Sequence, residues 1–160
     1  TQQGPLISED AMKKASKHVE DAKDKGATIT TGGNPHSLGG LFFEPTVLTG
    51  VSDEMLIAQE ETFGPIAPIF SFDSEKEVLE RANNTPYGLA AYFYTSDLGK
   101  SWRVSEQLDY GMVGLNTGII STEMAPFGGI KESGIGREGS KYGVDDYLEM
   151  KYISLAGIEE

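Results

Sequence analysis

The stretch IAPIFSFDSEKEVLERANNTPYGLAAYFYTSDLGKSWRVSEQLDYGMVGLN, residues 66–116, decides the fold of this chain. Apolar runs with β-forming residues lie at 66–72, 89–94 and 112–116, and the two segments between them have helical spacing of apolar residues. Strands and helices that alternate through short joints are typical of βαβ units, whose strands pair in parallel through right-handed crossovers. We therefore predict an α/β fold, a mostly parallel sheet with flanking helices.

Both predicted helices of this stretch have start signals. Ser74, with Glu77 three residues later, forms a capping box before the first helix. Ser96 is expected to cap the second helix, and Gly111 to end it.

Upstream, another helix is predicted to begin after Ser8 and to end at Gly26, with small apolar residues along one face. Strands are expected over 27–31 and 41–48. Pro45 interrupts the second of these, which favours an edge position or an irregular run.

Downstream, regular patterning fails from 117 to 143, a glycine-rich segment. Long irregular segments inside compact domains are usually functional or disordered. Phe127, Ile130 and Ile135 favour packing over disorder. Regular β patterning returns only at 147–155.

Composition excludes several classes of protein. The chain has 160 residues, a net charge of −12 and no cysteine. Its acidity argues against nucleic-acid and anionic-membrane partners, and no apolar run reaches the ~18 residues of a membrane helix. Without cysteine there is no disulfide, thiolate metal site or cysteine nucleophile. His18 and His36, the two histidines, have no ligand spacing for a metal and are expected to be solvated.

Two short motifs could bind a nucleotide. Residues 134–139 match GxGxxG by letter but follow no obvious strand, so glycines for tight backbone packing are the favoured interpretation. Residues 60–65, EETFGP, place two carboxylates and an aromatic before a turn. A carboxylate there could accept hydrogen bonds from both vicinal hydroxyls of a ribose, whereas a solvated acidic turn is the ordinary interpretation.

Residues 60–65 also resemble the Glu-Glu-x-Phe-Gly-Pro signature of the aldehyde dehydrogenase superfamily. Other segments fall in the order and spacing of that family: 4–7 (GPLI), 43–46 (FEPT), 82–91, Asn116 and 126–138. Together they cover nearly the whole chain. Within the family, 116–121 and 139–149 look most like the succinate-semialdehyde dehydrogenases.

The resemblance implies roles for four residues. Glu61 matches the glutamate that binds the nicotinamide ribose hydroxyls, and Phe63 matches the aromatic beside the nicotinamide. Ser121 matches the serine that hydrogen-bonds the substrate carboxylate, and Phe127 matches an aromatic of the substrate tunnel. Residues 147–155 look like the C-terminal strand that joins the sheet of a partner subunit, which implies a homo-oligomer.

In this family a cysteine thiolate attacks the aldehyde, hydride passes to NAD(P)+, and a glutamate-activated water hydrolyses the thioester. The resemblance places the cysteine, the general base and the nucleotide-binding domain before the GPLI motif. The chain therefore resembles the C-terminal third of such an enzyme, with no catalytic residue of its own. We expect 1–146 to be the C-terminal portion of the catalytic domain, and 147–160 to be the oligomerisation strand and tail.

The resemblance implies oxidation of succinate semialdehyde to succinate, in 4-aminobutyrate degradation, with NADP+ favoured over NAD+. The isolated chain is expected to be inactive. The alternatives are a non-catalytic binding or assembly module, an aldehyde dehydrogenase fragment with another substrate, and an unrelated acidic α/β domain. No metal, nucleic acid or membrane is expected as a partner. A soluble protein, cytoplasmic or mitochondrial, is expected. The compartment itself is not read from the sequence, because residues 1–5 (TQQGP) show neither an initiator Met nor a signal peptide.

Overall fold

The structure, a computed structural model, describes residues 3–157. The chain divides into two compact units, Thr1–Asp73 and Ser74–Glu160. Among the described residues, no helix combines the length and the apolar character needed to cross a membrane.

The first unit contains two helices and a three-stranded sheet of order β1-β2-β3. β1 runs antiparallel to β2, and β3 runs parallel to β2 on its other side. The elements are α1 Glu9–Asp24, β1 Thr28–Thr31, β2 Thr46–Thr49, α2 Leu56–Gln59 and β3 Ile66–Ile69. The core lies between α1 and the sheet, where Ala15, Val19 and Ala22 of the predicted apolar face are buried.

The second unit contains α3 Glu75–Asn83, β4 Tyr87–Gly88, β5 Ala90–Phe93, α4 Leu98–Gln107, β6 Met112–Leu115, β7 Ile130–Lys131 and the 3-10 helix Tyr142–Tyr147. β5 and β6 pair in parallel across α4, which confirms a βαβ unit in the stretch that predicted one. β4 and β7 form a short antiparallel pair.

The α/β fold class is confirmed, but the sheets are small and only partly parallel. β3 pairs with β2, whereas β5 pairs with β6, so the predicted strand-helix-strand run is shared between two sheets. β2 is central in its sheet, not at an edge as Pro45 suggested. Pro45 lies one residue before β2 begins, so its missing N–H removes no hydrogen bond from the β2 ladder.

The caps predicted for α1 and α3 are present. The Ala11 amide donates to Ser8 Oγ at 3.2 Å, and the Glu77 amide donates to Ser74 Oγ at 3.1 Å. Gly26 follows the end of α1 with a φ of +97°, the left-handed conformation that glycine adopts without steric cost.

The cap predicted for α4 is wrong by one residue. Asp97, and not Ser96, accepts the Lys100 amide at 2.8 Å. The Asp97 amide itself donates to Thr95 Oγ1 at 3.1 Å, so a turn occupies the positions before the helix. A carboxylate at the N-terminus also interacts favourably with the helix dipole.

The C-terminal segment 148–157 has no strand partner within the described chain. Tyr147 is the last residue of the 3-10 helix, and Leu148 is already extended, with φ −111° and ψ 140°. Met150, Tyr152 and Ile153 are exposed. The predicted pairing of 147–155 with a second subunit stays a prediction, and residues 158–160 of the predicted tail lie outside the described residues.

Candidate functional site

Residues 60–65, which contain Glu61 and Phe63, form a loop between α2 and β3 in the first unit. Glu60 is extended, with φ −113° and ψ 136°, and its amide donates to the Leu56 carbonyl at 2.8 Å. At the other end, the Pro65 carbonyl accepts the Thr46 amide at 2.8 Å. Both ends of the loop are therefore held by backbone hydrogen bonds to regular structure.

His18 of α1 holds the middle of this loop. Its Nδ1 lies 2.9 Å from Thr62 Oγ1, and its Nε2 lies 3.3 Å from Glu60 Oε2. An ionised carboxylate only accepts hydrogen bonds, so Nε2 donates to Glu60. In the neutral ring Nδ1 is then an acceptor, and the Thr62 hydroxyl donates to it.

The expectation that His18 is solvated is wrong, because the side chain is 0% exposed. The sequence contained a signal for this burial. His18 lies three residues after Ala15 and four before Ala22, two buried positions of α1, and this spacing places it on the same face of the helix. His36 accepts a hydrogen bond from the Leu38 amide within its own turn.

Asp21 of α1 and Lys25, the residue directly after α1, hold the chain that leads to the loop. Asp21 Oδ2 accepts the Leu56 amide at 2.7 Å, and Lys25 Nζ donates to the Glu54 carbonyl at 2.8 Å. The Lys25 ammonium and the Leu56 amide hold the pKa of the Asp21 carboxyl below its usual range. Asp21 thus caps α2 from a distance of 35 residues in sequence.

Glu61 and Phe63 themselves project into solvent. Glu61 is exposed, and Phe63 is 81% exposed. Phe63 has a φ of +51°, a left-handed conformation that costs a residue other than glycine about 1–2 kcal/mol. Strained backbone of this kind clusters at functional sites. An exposed carboxylate and an exposed aromatic ring two residues apart have the chemistry needed to accept two ribose hydroxyls and to flank a planar ring.

In the second unit, the predicted irregular segment 117–143 is packed at its Gly-rich end. Phe127 and Glu138 exchange two backbone hydrogen bonds of 2.8 Å. Arg137 Nη1 donates to the carbonyls of Gly129 and Gly136 at 2.7 Å each. The glycines of 134–139 all have a positive φ, and a Cβ at Gly134 would meet no atom within 4 Å, so backbone conformation and not tight packing favours glycine at 134.

A side chain would not fit at Gly128. A Cβ there would lie 2.6 Å from the Gly136 carbonyl oxygen and 2.8 Å from Arg137 Cδ. Ile135 does not pack as expected, since its side chain is fully exposed at the tip of the loop.

Phe127 lines a cavity of about 360 Å³ together with Leu89, Arg137, Asp146 and the loop glycines. Ser121 is exposed and is not among the residues that line this cavity. The structure therefore places Phe127 and Ser121 in one unit, and Glu61 and Phe63 in the other. Among residues 3–157, no three His, Asp or Glu side chains are grouped so as to hold a metal ion.

Comparison with known proteins gives the family. The aldehyde dehydrogenase family profile matches residues 1–153. This chain belongs to the aldehyde dehydrogenase family.

Two curated members of the family show the similarity in sequence. A 3-sulfolactaldehyde dehydrogenase from Pseudomonas putida is 60% identical over 98% of the chain and 32% of its own length. A glutarate-semialdehyde dehydrogenase from Pseudomonas aeruginosa is 59% identical over 97% of the chain and 32% of its own length. The chain thus spans about a third of the length of the aldehyde dehydrogenases it matches.

The fold agrees with a solved member of the family. The crystal structure of a succinate-semialdehyde dehydrogenase from Burkholderia pseudomallei matches with a TM-score of 0.94 and 60% identity. That match covers 96% of this chain and 32% of the other. The aldehyde dehydrogenase resemblance of the sequence is therefore confirmed, whereas the roles of Glu61, Phe63, Ser121 and Phe127 stay predictions.

Proposed function

We propose that this chain is part of an NAD(P)+-dependent dehydrogenase that oxidises succinate semialdehyde to succinate. The observation that carries the proposal is the match to the Burkholderia succinate-semialdehyde dehydrogenase, at 60% identity over 96% of the chain. In this proposal residues 60–65 bind the ribose of the cofactor, and the Gly-rich segment shapes the substrate pocket.

Glu61 and Phe63 are the residues that would hold the cofactor, NADP+ by preference or NAD+. The Glu61 carboxylate has no hydrogen-bond donor of the described chain against it, so its oxygens are available to two vicinal ribose hydroxyls. Phe63, two residues further on, presents an exposed ring. When bound, the cofactor supplies the acceptor for the hydride of the aldehyde. The chain's own contribution is to place the nicotinamide ribose, which lowers the entropic cost of the transfer.

The substrate is proposed as an aldehyde with an anionic group at its other end. The three relatives described above are named for sulfolactaldehyde, glutarate semialdehyde and succinate semialdehyde. All three molecules share an anionic sulfonate or carboxylate. In a chain of net charge −12 an anion needs local donors, and the exposed Ser121 hydroxyl is the proposed one. Phe127 would line the path of the short carbon chain.

The thiol chemistry of the reaction is not supplied by this chain, which contains no cysteine. We expect the 160 residues alone to show no aldehyde oxidation. The same observation favours a second candidate function, a non-catalytic assembly module whose exposed segment 147–155 pairs with another copy. Turnover of an aldehyde by the purified 160 residues would contradict both expectations.

The test is a substrate panel on the full-length protein that carries this chain. Succinate semialdehyde, glutarate semialdehyde, sulfolactaldehyde and an uncharged aldehyde of equal length are compared with NAD+ and NADP+. We expect the highest kcat/KM with succinate semialdehyde and a clear penalty for the uncharged aldehyde. A preference for a longer or an uncharged aldehyde would remove the substrate assignment and leave the family intact.

Ser121→Ala extends this test to one residue. The variant should raise the KM for succinate semialdehyde about fivefold, the effect of one lost hydrogen bond of about 1 kcal/mol, with the KM for the uncharged aldehyde unchanged. Ser96→Ala, a change of an exposed serine elsewhere in the same unit, is the matched control.

A further inference from the structure

We propose that His18 is a positioning residue for the cofactor site. Its ring hydrogen-bonds to Glu60 and Thr62, the residues on either side of Glu61, and so orients Glu61 and Phe63. This inference rests on the proposed binding of NAD(P)+ by residues 60–65. His18 does not itself reach the cofactor in this proposal, since its side chain is fully buried in the first unit.

The first argument is the alternation of the chain. Glu60 is extended, and successive side chains of an extended segment point to opposite sides. Glu60 and Thr62 both point to the His18 ring, at 3.3 Å and 2.9 Å. Glu61 lies between them and is therefore directed away from α1 into solvent, where a ribose could reach it.

The second argument is that one ring fills two hydrogen-bonding roles at once, with one nitrogen facing Glu60 and the other facing Thr62. An imidazole offers a donor and an acceptor on opposite edges, fixed in one plane. The donor edge satisfies Glu60 and the acceptor edge satisfies the Thr62 hydroxyl, so each contact sets the ring for the other. Because the ring is buried, its two nitrogens are shielded from water and are satisfied by Glu60 and Thr62 instead.

The third argument separates the two adjacent carboxylates. Glu60 is 47% exposed, faces His18 Nε2, and has Lys14 Nζ at 4.0 Å. Glu60 is thus engaged with α1, and its charge is partly balanced there. Glu61 has neither contact, so of the EE pair Glu60 is the anchor and Glu61 the ligand.

The fourth argument is that α1 holds the same segment at further points. Asp21, about one turn after His18, binds the Leu56 amide, and Lys25, at the C-terminal end of α1, binds the Glu54 carbonyl. The segment from 54 to 62 is therefore attached to one face of α1 at both its ends. With His18 in place, the loop that carries Glu61 and Phe63 is fixed to helix α1. Support from a rigid element of this kind sets the precision of a binding site.

The experiment uses the full-length protein that carries this chain, with NADPH and NADH binding measured by fluorescence and steady-state kinetics measured alongside. His18→Ala should raise the Kd of the reduced cofactor about tenfold, while the KM for the aldehyde changes less than about twofold. His36→Ala, the same substitution at the other histidine, should leave both values unchanged. A purely structural role would not separate the two constants in this way.

Thr62→Val keeps the shape of the side chain and removes only the hydroxyl, so it tests the contact even where His18→Ala does not fold. It should raise the cofactor Kd about threefold. The double variant should bind no more weakly than His18→Ala alone, because residues that act through one shared contact are not additive.

The outcomes separate the inference from the proposed function. If the two single variants, Thr62→Val and His18→Ala, both bind the cofactor with wild-type affinity, the positioning role is overturned and the proposed function stands. If His18→Ala does not fold, wild-type affinity in Thr62→Val alone leads to the same conclusion. Additive losses in the double variant would also overturn it. Failure of the wild-type protein to bind NADPH or NADH would overturn the proposed function, and with it this inference.

Discussion

At the scale of single residues, the loop 60–65 shows how a site is prepared for a ligand. The exposed side chains, Glu61 and Phe63, make few contacts of their own. The buried or half-buried ones, His18 and Thr62, hold them in place. The left-handed Phe63 is the strained point of this arrangement. Strain at an exposed residue is maintained only when the neighbouring residues over-determine the backbone.

Comparison of Phe63→Gly with Phe63→Ala measures that strain. Both variants remove the ring, and only glycine adopts a φ of +51° without cost. We expect the free energy of unfolding of Phe63→Gly, measured with urea, to exceed that of Phe63→Ala by about 1 kcal/mol. Both variants should weaken cofactor binding. Equal stabilities of the two variants would show that the backbone at 63 is relaxed.

At the scale of elements, short strands are completed by side chains. Asn116 directly follows β6 and has a φ of +55°. Its Oδ1 accepts the Thr95 amide at 2.9 Å, and its Nδ2 donates to the Thr95 carbonyl at 2.8 Å. The side-chain amide thus continues the β5–β6 ladder by one rung beyond Leu115. Asparagine suits the position because it tolerates the left-handed conformation better than most residues.

Asn116→Ala should therefore destabilise the second unit by about 2 kcal/mol, from two lost hydrogen bonds and a strained alanine. Asn116→Gly loses the same hydrogen bonds without the strain and should cost about half as much. Urea unfolding of the two variants checks this order. An alanine variant as stable as the glycine variant would contradict it.

Helices α3 and α4 are joined by an ion pair that responds to pH. Arg103 Nε and Nη2 each donate to one Glu75 oxygen at 3.0 Å. The guanidinium holds the pKa of the Glu75 carboxyl below its usual range. A group whose pKa is lowered by folding stabilises the fold above its unfolded pKa, about 4.3 for glutamate, and loses that contribution as pH falls further.

The stability difference between wild type and Glu75→Gln should accordingly be constant from pH 7 to about 5 and should shrink below about pH 4.3. The measurement is the urea midpoint across this range. Glu80→Gln, on the exposed side of the same helix, serves as the control. A difference that stays constant down to pH 3 would contradict the pairing.

At the scale of the whole molecule, the C-terminal segment is the part whose role depends on a partner. Tyr147, Met150 and Tyr152 are exposed apolar side chains on a chain that pairs with no described strand. An exposed extended segment is a ready site for strand addition. We propose that 147–155 adds to the sheet of a second copy.

Proline substitution tests this pairing, because proline removes the N–H that a strand donates. Consecutive N–H groups of a strand point to opposite edges, so one of Lys151→Pro and Tyr152→Pro should lower the oligomeric state in sedimentation, and the other should not. Lys151→Ala and Tyr152→Ala keep the N–H and are the matched controls. An oligomer unaffected by both prolines would exclude strand addition here.

The local features of the chain could be predicted from its order of residues. Ser8 and Ser74 are caps because a hydroxyl reaches an amide three residues away, and Ala15 and Ala22 share a face because the helix repeats every 3.6 residues. The EETFGP stretch, with the segments around it, indicates the aldehyde dehydrogenase family by its residues alone. All of these depend on neighbours within a few positions, or on a pattern of letters.

The tertiary structure alone decided what depends on distant residues. β3 pairs with β2 and not with β5. Backbone N–H and C=O groups are alike in nearly all residues, so the local sequence of a strand does not specify its partner. The spacing of His18 from Ala15 and Ala22 indicates a buried position, but its hydrogen bond to Thr62, 44 residues later, follows only from the fold. The sequence by itself therefore determined helices α1, α3 and α4, the caps of α1 and α3, and the family. The fold decided the pairing of the strands, the hydrogen bonds of His18 to the loop and the outward direction of Glu61. These follow from contacts between residues far apart in sequence, which no local pattern encodes.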